Sequence, residues 1–160
     1  MAIAPACLGM KQFHKIFSNK GDNMNKLNPS QVGLITEYEC QLFLIKHGFN
    51  VLLPIGNYQK YDLVIEKNNK FYRIQIKHST EKENSFLVRT RYDVRDNGRV
   101  RKETYQEKDC DYFMTEFQGK FYMFPVFGTV ETKFWLVPPK NGTTSKMAKD
   151  YLAENILKKL

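Results

Sequence analysis

A regular hydrophobic pattern begins near residue 27 and opens with a helix. Apolar side chains recur at helical spacing after Ser30, a good N-cap residue, and stop at Gly48, which suits the position just after a helix. This spacing predicts one long helix whose apolar side packs on a sheet. The apolar positions of the predicted helix are Val32, Leu34, Ile35, Tyr38, Leu42 and Ile45.

Segments rich in β-branched and aromatic residues follow this helix and predict strands. The pairs Asn68-Asn69 and Gln118-Gly119 predict tight turns between neighbouring strands. Helical spacing returns at the end and predicts a second amphipathic helix from Thr144 or Ser145 to Leu160. The predicted strands are Val51 to Ile55, Tyr61 to Glu66, Lys70 to His78, one starting at Phe86, Asp111 to Glu116, Lys120 to Phe127 and Phe134 to Val137.

Residues 1–26 show neither a helical nor a strand period, because Pro and Gly residues interrupt their short apolar stretches. We interpret them as a leader that is disordered or read from an upstream start. Met10 and Met24 are both available as internal starts. Residues 27–160 are expected to form a single domain, since globular domains usually contain about 100–200 residues.

Composition narrows the functional classes. Hydrophobic residues make up 42% of the chain, which is enough for a folded core. Lys and Arg number 25 against 17 Asp and Glu, and the net charge of +8 favours a polyanionic partner, above all nucleic acid. The three cysteines are widely spaced and form no metal or redox motif. With no long apolar run and no secretory signal, we expect a soluble, cytoplasmic protein.

Four polar residues are expected to meet at one end of the sheet. In the strand from Lys70 to His78, alternation puts Gln75 and Lys77 on one face. A lysine pointing inward needs an anionic partner, because burying an unpaired ammonium is costly, and Asp62 across the hairpin can supply one. Glu37, in the second turn of the helix, reaches the same end. We therefore expect Glu37, Asp62, Gln75 and Lys77 to converge.

This order of a helical Glu, an Asp that opens a strand, a hairpin and then Gln75-Ile76-Lys77 resembles the core of the PD-(D/E)XK nucleases. Tyr61-Asp62 stands for the Pro-Asp half of the motif, and Gln75 takes a position that usually carries an acid. Residues 28–160 resemble, more narrowly, cyanobacterial group I intron-encoded homing endonucleases, in which the Gln form also occurs. The resemblance implies an α/β, restriction-endonuclease-like fold, with a mixed central sheet flanked by helices.

The resemblance also assigns roles to these residues. Asp62 would be the central ligand of Mg²⁺, with the Ile76 backbone carbonyl and the Glu37 carboxylate, directly or through water, as further ligands. Gln75 would be a weak ligand through its amide oxygen, and Lys77 would orient or deprotonate the attacking water and contact the phosphate. Hard oxygen donors suit Mg²⁺, which supports phosphodiester hydrolysis. Because Gln75 is neutral, we expect weaker metal affinity and retained activity.

Each residue taken alone also has a plain structural interpretation. Aspartates open strands and lysines leave them in many proteins, so Asp62 and Lys77 would carry little weight without their context. Glu37 has Glu39 nearby, and either could be a solvated helix residue, while Gln75 could be a polar filler. The helix–strand–strand order and the resemblance together favour the catalytic interpretation.

A second charged feature lies between Leu87 and Tyr105, where an Asp96-Asn97-Gly98 turn joins two extended arms. Alternation predicts a protruding basic β-ribbon that presents five arginines on one surface. Such a ribbon fits the major groove, and Arg binds both guanine and phosphate. The alternative is a solvated hairpin whose charges keep the protein soluble. The predicted DNA contacts are Arg89, Arg91, Arg95, Arg99, Arg101, Lys102, His78 and Ser79.

The leading prediction is a Mg²⁺-dependent, site-specific double-strand DNA endonuclease, associated with the nucleoid, and the resemblance implies a role in intron homing. A domain of this size spans a short DNA site, so a long site requires a symmetric homo-oligomer, a dimer at least. The resemblance implies a tetramer built from two dimers. The alternatives are a Holliday-junction resolvase, a cleavage-dead DNA-binding module and an RNA-binding helper for splicing.

Overall fold

The computed structural model describes residues 27–56, 58–140 and 145–160, and the predicted leader lies outside them. The helices in this part of the chain are α1 (Pro29–Lys46) and α2 (Ala153–Leu157), with a 3₁₀ turn at Ala148–Tyr151. None of them is long and apolar enough to cross a membrane. The strands are β1 (Asn50–Leu52), β2 (Leu63–Lys67), β3 (Lys70–Ile76), β4 (Ser79–Lys82), β5 (Ser85–Arg89), β6 (Arg91–Asp96), β7 (Arg99–Thr104), β8 (Tyr112–Phe117), β9 (Lys120–Pro125) and β10 (Glu131–Trp135).

The N-cap of α1 is Asn28, two residues before the predicted Ser30. The Asn28 side chain accepts a hydrogen bond from the Gln31 N–H, and the Gln31 side chain accepts one from the Asn28 N–H, both at 2.9 Å. Pro29 takes the first helical position, where its missing N–H costs nothing. At the other end, the helix stops before Gly48 as predicted, and Gly48 has a φ of +80°.

The face of α1 that packs on the sheet is not the predicted one. Its buried side chains are Thr36, Cys40, Phe43 and Leu44. Five of the six predicted apolar positions are exposed to solvent, by 42% to 61%. The helix carries apolar residues around its whole circumference, so spacing alone did not identify the face that meets the sheet. The exposed positions are Leu34, Ile35, Tyr38, Leu42 and Ile45.

Five strands form the central sheet in the order β1-β2-β3-β8-β9. Neighbouring strands are antiparallel except β3 and β8, which run parallel with Ile74 opposite Tyr112. A parallel pair needs a crossover connection, and here the segment from β4 to β7 makes that crossover. The predicted mixed sheet of an α/β fold is confirmed.

Both predicted tight turns are present. Asn68 and Asn69 have φ values of 54° and 61°, and Gln118 and Gly119 have values of 52° and 75°. Two-residue hairpin loops of type I′ require positive φ at both central residues, which Asn and Gly adopt most easily. These turns fix the β2–β3 and β8–β9 registers.

The two faces of the central sheet are covered by different layers. On one face α1 and α2 enclose an apolar core that includes Phe43, Leu44, Ile74 and Met123. On the other face lies a second core, rich in aromatic rings, which a three-stranded sheet in the order β10-β5-β4 encloses. Because β3 lies between the two layers, polar side chains on it need partners within the fold.

The predicted C-terminal helix is wrong over most of its length. Of the predicted segment, Thr144 lies outside the described residues, and the rest contains only the 3₁₀ turn and the five-residue α2. Between them, Leu152 has an extended backbone (φ −56°, ψ 128°) and forms a β-bridge with Tyr122. Pairing with the sheet at this point overrides the helical spacing. The polar strand β4 was also missed by the sequence pattern.

The predicted ribbon is formed by β6 and β7, which pair only with each other and are joined by an Asn97-Gly98 turn. It is shorter than predicted. Arg89 belongs to β5, where its Nε lies 3.9 Å from a Glu131 carboxylate oxygen. Thr90, which separates β5 from β6, is buried, and its N–H donates to the Val130 carbonyl at 3.0 Å. Arg89 is therefore not part of the ribbon.

The prediction that five arginines share one surface is also wrong. Arg91 pairs with Thr104 and Arg95 with Val100, so odd positions of β6 share a face with even positions of β7. This register splits the charges between the two faces. One face, which we call the cationic face, carries Arg91, Arg95 and Lys102 with Asp93, and the other carries Arg99 and Arg101 balanced by Asp96 and Glu103.

Candidate active site

Asp62 lies just before β2, beside the C-terminal end of β3. The β2–β3 register pairs Leu63 with Ile74, so the next position places Asp62 opposite Gln75. The Asp62 N–H also donates to the Ile74 carbonyl at 2.9 Å, which extends the ladder. Because the hairpin turn is centred between Asn68 and Asn69, the residue opposite Asp62 is Gln75, and Lys77 lies two residues beyond that position.

The Asp62 carboxylate accepts two hydrogen bonds from β3. Its Oδ2 accepts one from the Ile76 N–H at 2.6 Å and one from Gln75 Nε2 at 2.5 Å. Burial raises the pKa of Asp62, and these hydrogen bonds and the charge of Lys77 offset this only in part. The carboxylate is thus fixed in orientation and short of compensating positive charge.

Gln75 is buried, and its amide group faces the oxygen atoms of the site. Gln75 Nε2 donates to Asp62 Oδ2 and also to the Ile76 carbonyl oxygen at 3.2 Å. The amide NH₂ therefore lies between two oxygens of the kind that bind a hard cation. To offer its own oxygen at this place, the Gln75 amide must turn over.

Glu37 reaches the site from α1. It lines a groove of about 410 Å³ together with Asp62, and Leu34, Tyr38 and Leu53 form part of its wall. Burial raises the pKa of Glu37, the nearby Asp62 charge raises it further, and Lys77 opposes the shift. Two carboxylates therefore repel each other at a place where a cation would stabilise both.

Lys77 Nζ donates a hydrogen bond to the Tyr105 hydroxyl at 3.1 Å and lies 5.0 Å from the centroid of that ring. Among the residues described, Lys77 forms no ion pair, so the predicted direct pairing with Asp62 is absent. Burial lowers the pKa of Lys77, against the attraction of Asp62 and Glu37. A lowered pKa lets an amine give up and take a proton closer to neutral pH.

Tyr105 is a site residue that the sequence pattern does not reveal, since alternation along the chain indicates only that it ends the predicted ribbon. It is buried, and its ring makes edge contacts with Tyr92 and Phe113, with centroids at 4.9 Å and 5.3 Å. Burial raises the pKa of Tyr105, so its hydroxyl stays neutral beside the Lys77 ammonium. Because Tyr105 directly follows β7, it connects the base of the ribbon to Lys77. No local pattern signals this contact.

His78 and Ser79 differ in accessibility. The exposed His78 ring places Nδ1 3.2 Å from the Thr36 hydroxyl of α1, and burial of part of the ring lowers its pKa. Ser79 is buried, and its hydroxyl donates to the Glu116 carbonyl at 2.6 Å. The Ser79 hydroxyl is thus already bonded within the fold and its DNA contact stays a prediction, whereas His78 is available at the surface.

The donor set fits a hard divalent cation. The described residues contain no cluster of three or more His, Cys, Asp and Glu side chains suited to a metal. The candidate donors are two carboxylates, a backbone carbonyl and, after rotation, an amide oxygen, and all four are the oxygen type that Mg²⁺ prefers. These donors are Asp62, Glu37, Ile76 and Gln75.

Replacing Glu37 by glutamine is expected to stabilise the metal-free fold at pH 7. The folded-state pKa of Glu37 is raised. The contribution of the protonated Glu37 side chain to folding stability is therefore complete below the ordinary pKa of 4.5, and it is lost as the pH rises through the folded-state pKa. The uncharged glutamine escapes that loss. Calorimetry in EDTA should show a Tm higher by roughly 1–3 °C at pH 7, with little difference at about pH 3.5. The exposed control Glu107→Gln should show no gain, and an equal gain would contradict this account.

The mixed sheet, with an aspartate and a lysine at the ends of adjacent central strands, has the architecture of the PD-(D/E)XK nucleases. The sequence profile of the PD-(D/E)XK endonucleases matches residues 27–153, and the protein belongs to this family of nucleases. Its fold is similar to that of I-Ssp6803I, a bacterial homing endonuclease, with a TM-score of 0.65 and 23% sequence identity. The alignment covers 83% of this chain and 95% of that one. No curated protein sequence matched the chain.

Proposed function

We propose that the protein is a Mg²⁺-dependent endonuclease that hydrolyses both strands of DNA at a specific site. We propose further that it propagates a group I intron by cutting alleles that lack the intron, a role supported by the similarity of its fold to a homing endonuclease. The observation that carries the proposal is the meeting of Asp62, Glu37 and the Ile76 carbonyl with Lys77 at the end of β3.

The residues of the site divide the work in this proposal. Asp62, Glu37 and the Ile76 carbonyl would hold the Mg²⁺ ion, which when bound would lower the pKa of a water and stabilise charge on the phosphate. Lys77 contacts a phosphate oxygen and holds or moves a proton at Nζ, kept in position by Tyr105. Gln75 must turn its amide to present an oxygen, and because that oxygen is neutral, metal affinity is lower than in a site with three acids.

The proposed DNA surface is the cationic face of the ribbon. It carries three cations against one carboxylate, whereas the opposite face carries equal numbers of each. Of the cations on the opposite face, Arg101 lies 3.5 Å from an Asp96 oxygen. The proposed contacts are thus Arg91, Arg95 and Lys102, with exposed His78 nearer the site, while Arg99 and Arg101 contribute less.

Replacing Arg95 by alanine, or Lys102 by alanine, is expected to weaken DNA binding several-fold and to reduce the slope of log affinity against log salt by about one. Each substitution removes one cation that displaces counterions from DNA. The matched control is Arg101→Ala, on the opposite face, with a smaller effect. Fluorescence anisotropy of a labelled duplex in EDTA over a range of salt concentrations measures both quantities. Unchanged affinity in all three variants would restore the solvated-hairpin interpretation.

We also propose that the protein acts as a homo-oligomer in the cytoplasm, associated with the nucleoid. One active site per chain cuts one strand, so two copies related by a two-fold axis match the two strands of a duplex. A dimer is the minimum, and a tetramer of two dimers is the larger assembly that we propose on the basis of family resemblance.

A plasmid assay tests the proposed function. Supercoiled DNA that carries an intronless tRNA or rRNA gene is incubated with the protein in Mg²⁺ or EDTA, and the products are resolved on a gel. Discrete linear product in Mg²⁺ alone supports the proposal. Cleavage of a four-way junction in preference to linear DNA would favour the resolvase instead, and binding without cleavage of either would favour a DNA-binding module.

A further inference from the structure

The exposed side of α1 is apolar along its length. We call the side chains Leu34, Ile35, Tyr38, Leu42 and Ile45 the outer face of α1, and each is at least 42% exposed. The opposite side of the helix is buried on the central sheet. A helix that is apolar on both sides is normally covered on both sides, and within the described chain only one side of α1 is covered.

Exposed apolar side chains are concentrated in this region. Of the fifteen large hydrophobic residues exposed in the described chain, ten lie between Leu27 and Tyr58. Leu53 lines the same groove as Leu34 and Tyr38, and Ile55 and Tyr58 in the adjoining loop are more than 90% exposed. At roughly 100 Å² for each fully exposed side chain, the outer face and this loop offer on the order of 500 Å² of apolar surface. That is more than scattered surface residues provide.

We infer that the outer face of α1 binds the same face of a second copy of this chain. The five side chains of the outer face are uncharged, and the charged residues of α1 are the half-buried Glu37 and Glu39 and the exposed Lys46 in the last turn. DNA is therefore a poor occupant, because this face offers no row of cations for phosphates. An uncharged apolar face is complementary to itself, as a two-fold interface requires, and two copies of a +8 chain repel least where neither is charged.

The available area suits such a contact. A standard interface buries about 800 Å² on each partner, of which a little more than half is apolar. The apolar surface around α1 is of that size. The spacing of Leu34, Tyr38 and Ile45 also repeats about once every one or two helical turns, so that two helices can interdigitate along their length.

The position of this face bears on the proposed nuclease. The groove that Leu34 and Tyr38 line also contains Glu37 and Asp62, so a second copy seated on α1 would bring two active sites close to the dimer axis. This inference names the contact surface of the proposed homo-oligomer, and it rests on the proposed nuclease activity only for its consequence in cleavage. The association itself is measured without any DNA.

The test is the mass of the full-length protein in solution, with Leu42→Glu as the disrupting variant. Sedimentation velocity at about 10 µM should give wild type at twice 18.9 kDa or a multiple of it. Leu42→Glu should fall to half the wild-type mass or less with an unchanged circular dichroism spectrum. The matched control Phe71→Glu replaces another exposed hydrophobic residue, near the start of β3, and should keep the wild-type mass.

A cross-linking measurement keeps the inference testable if Leu42→Glu fails to fold. In a Cys7→Ser background, Leu42→Cys should form dimers with a short thiol-reactive cross-linker, whereas Phe71→Cys should not. In the plasmid assay, the Leu42→Glu variant should nick DNA that the wild-type protein linearises. If the wild-type protein cuts no DNA, the proposed nuclease function fails and the inferred contact between two copies does not. A monomeric wild type, or an unchanged mass for Leu42→Glu, would overturn the inference.

Discussion

Replacing Lys77 by methionine is expected to reduce the rate of DNA cleavage by about 10²–10⁴-fold, the range for removal of a group that transfers a proton or stabilises the transition state. Methionine keeps most of the volume of the stem and removes Nζ, which donates to Tyr105 and is the cation nearest the two carboxylates. DNA affinity should change little, because the proposed contacts lie mainly on the ribbon. Single-turnover cleavage at saturating protein separates the two effects.

The substitution at Lys77 should not unfold the protein. Because burial lowers the pKa of Lys77, the ammonium costs stability at neutral pH, and this cost disappears only as the pH rises towards the ordinary value of 10.5. Methionine removes the cost, so the Tm at pH 7 should be equal or higher. Lys70→Met, at an exposed position on the same strand, is the control and should cut normally. Normal cleavage by Lys77→Met would exclude Lys77 from the site.

Replacing Asp62 by asparagine is expected to abolish detectable cleavage and to weaken divalent metal binding by more than roughly 100-fold, the upper end of the loss for residues that merely support a ligand. The substitution removes one of two carboxylates and leaves a neutral amide. Asparagine can still accept the hydrogen bond from the Ile76 N–H through its own oxygen. The loss therefore reports the charge of Asp62 rather than a collapse of the β2–β3 hairpin.

Metal binding by the Asp62→Asn variant is measured without activity, by the electron paramagnetic resonance signal of free Mn²⁺. Wild type should reduce that signal at a protein concentration at which the variant does not. Asp150→Asn, an exposed aspartate in the 3₁₀ turn, should behave like wild type. Equal Mn²⁺ binding by wild type and Asp62→Asn would place the metal elsewhere, even if cleavage were lost.

The elements that the sequence predicted best are those set by neighbouring residues. The Asn68-Asn69 and Gln118-Gly119 turns follow from the ease with which Asn and Gly adopt positive φ, and Gln118 adopts it too, next to Gly119. Alternation along β3 placed Gln75 and Ile76 on opposite faces, and in the structure one meets Asp62 while the other joins the apolar core. Such patterns depend on a few adjacent residues, and here no distant contact overrides them.

The errors have a common origin in contacts between distant segments. The predicted C-terminal helix is interrupted because Leu152 bridges to Tyr122, thirty positions away. Alternation along each arm by itself predicts one surface for the ribbon arginines, whereas the pairing of Arg91 with Thr104 puts odd positions of β6 on the same face as even positions of β7. The sequence offers Asp62 as the anionic partner of Lys77, whereas in the structure Lys77 Nζ donates its hydrogen bond to the Tyr105 hydroxyl and feels Asp62 only through its charge.

The sequence by itself determined the first helix, most of the strands, the two hairpin turns and the excess of positive charge, because these depend on local conformation and composition. The four polar residues of the candidate site follow from the resemblance as well as from the pattern, and their roles stay a prediction. The tertiary structure alone decided which side of α1 is buried, which ribbon face is cationic and what holds Lys77. These choices depend on register and packing between segments far apart in the chain. A helix that is apolar on both sides allows either side to meet the sheet, and only the completed fold leaves Leu34, Tyr38 and Leu42 facing outwards.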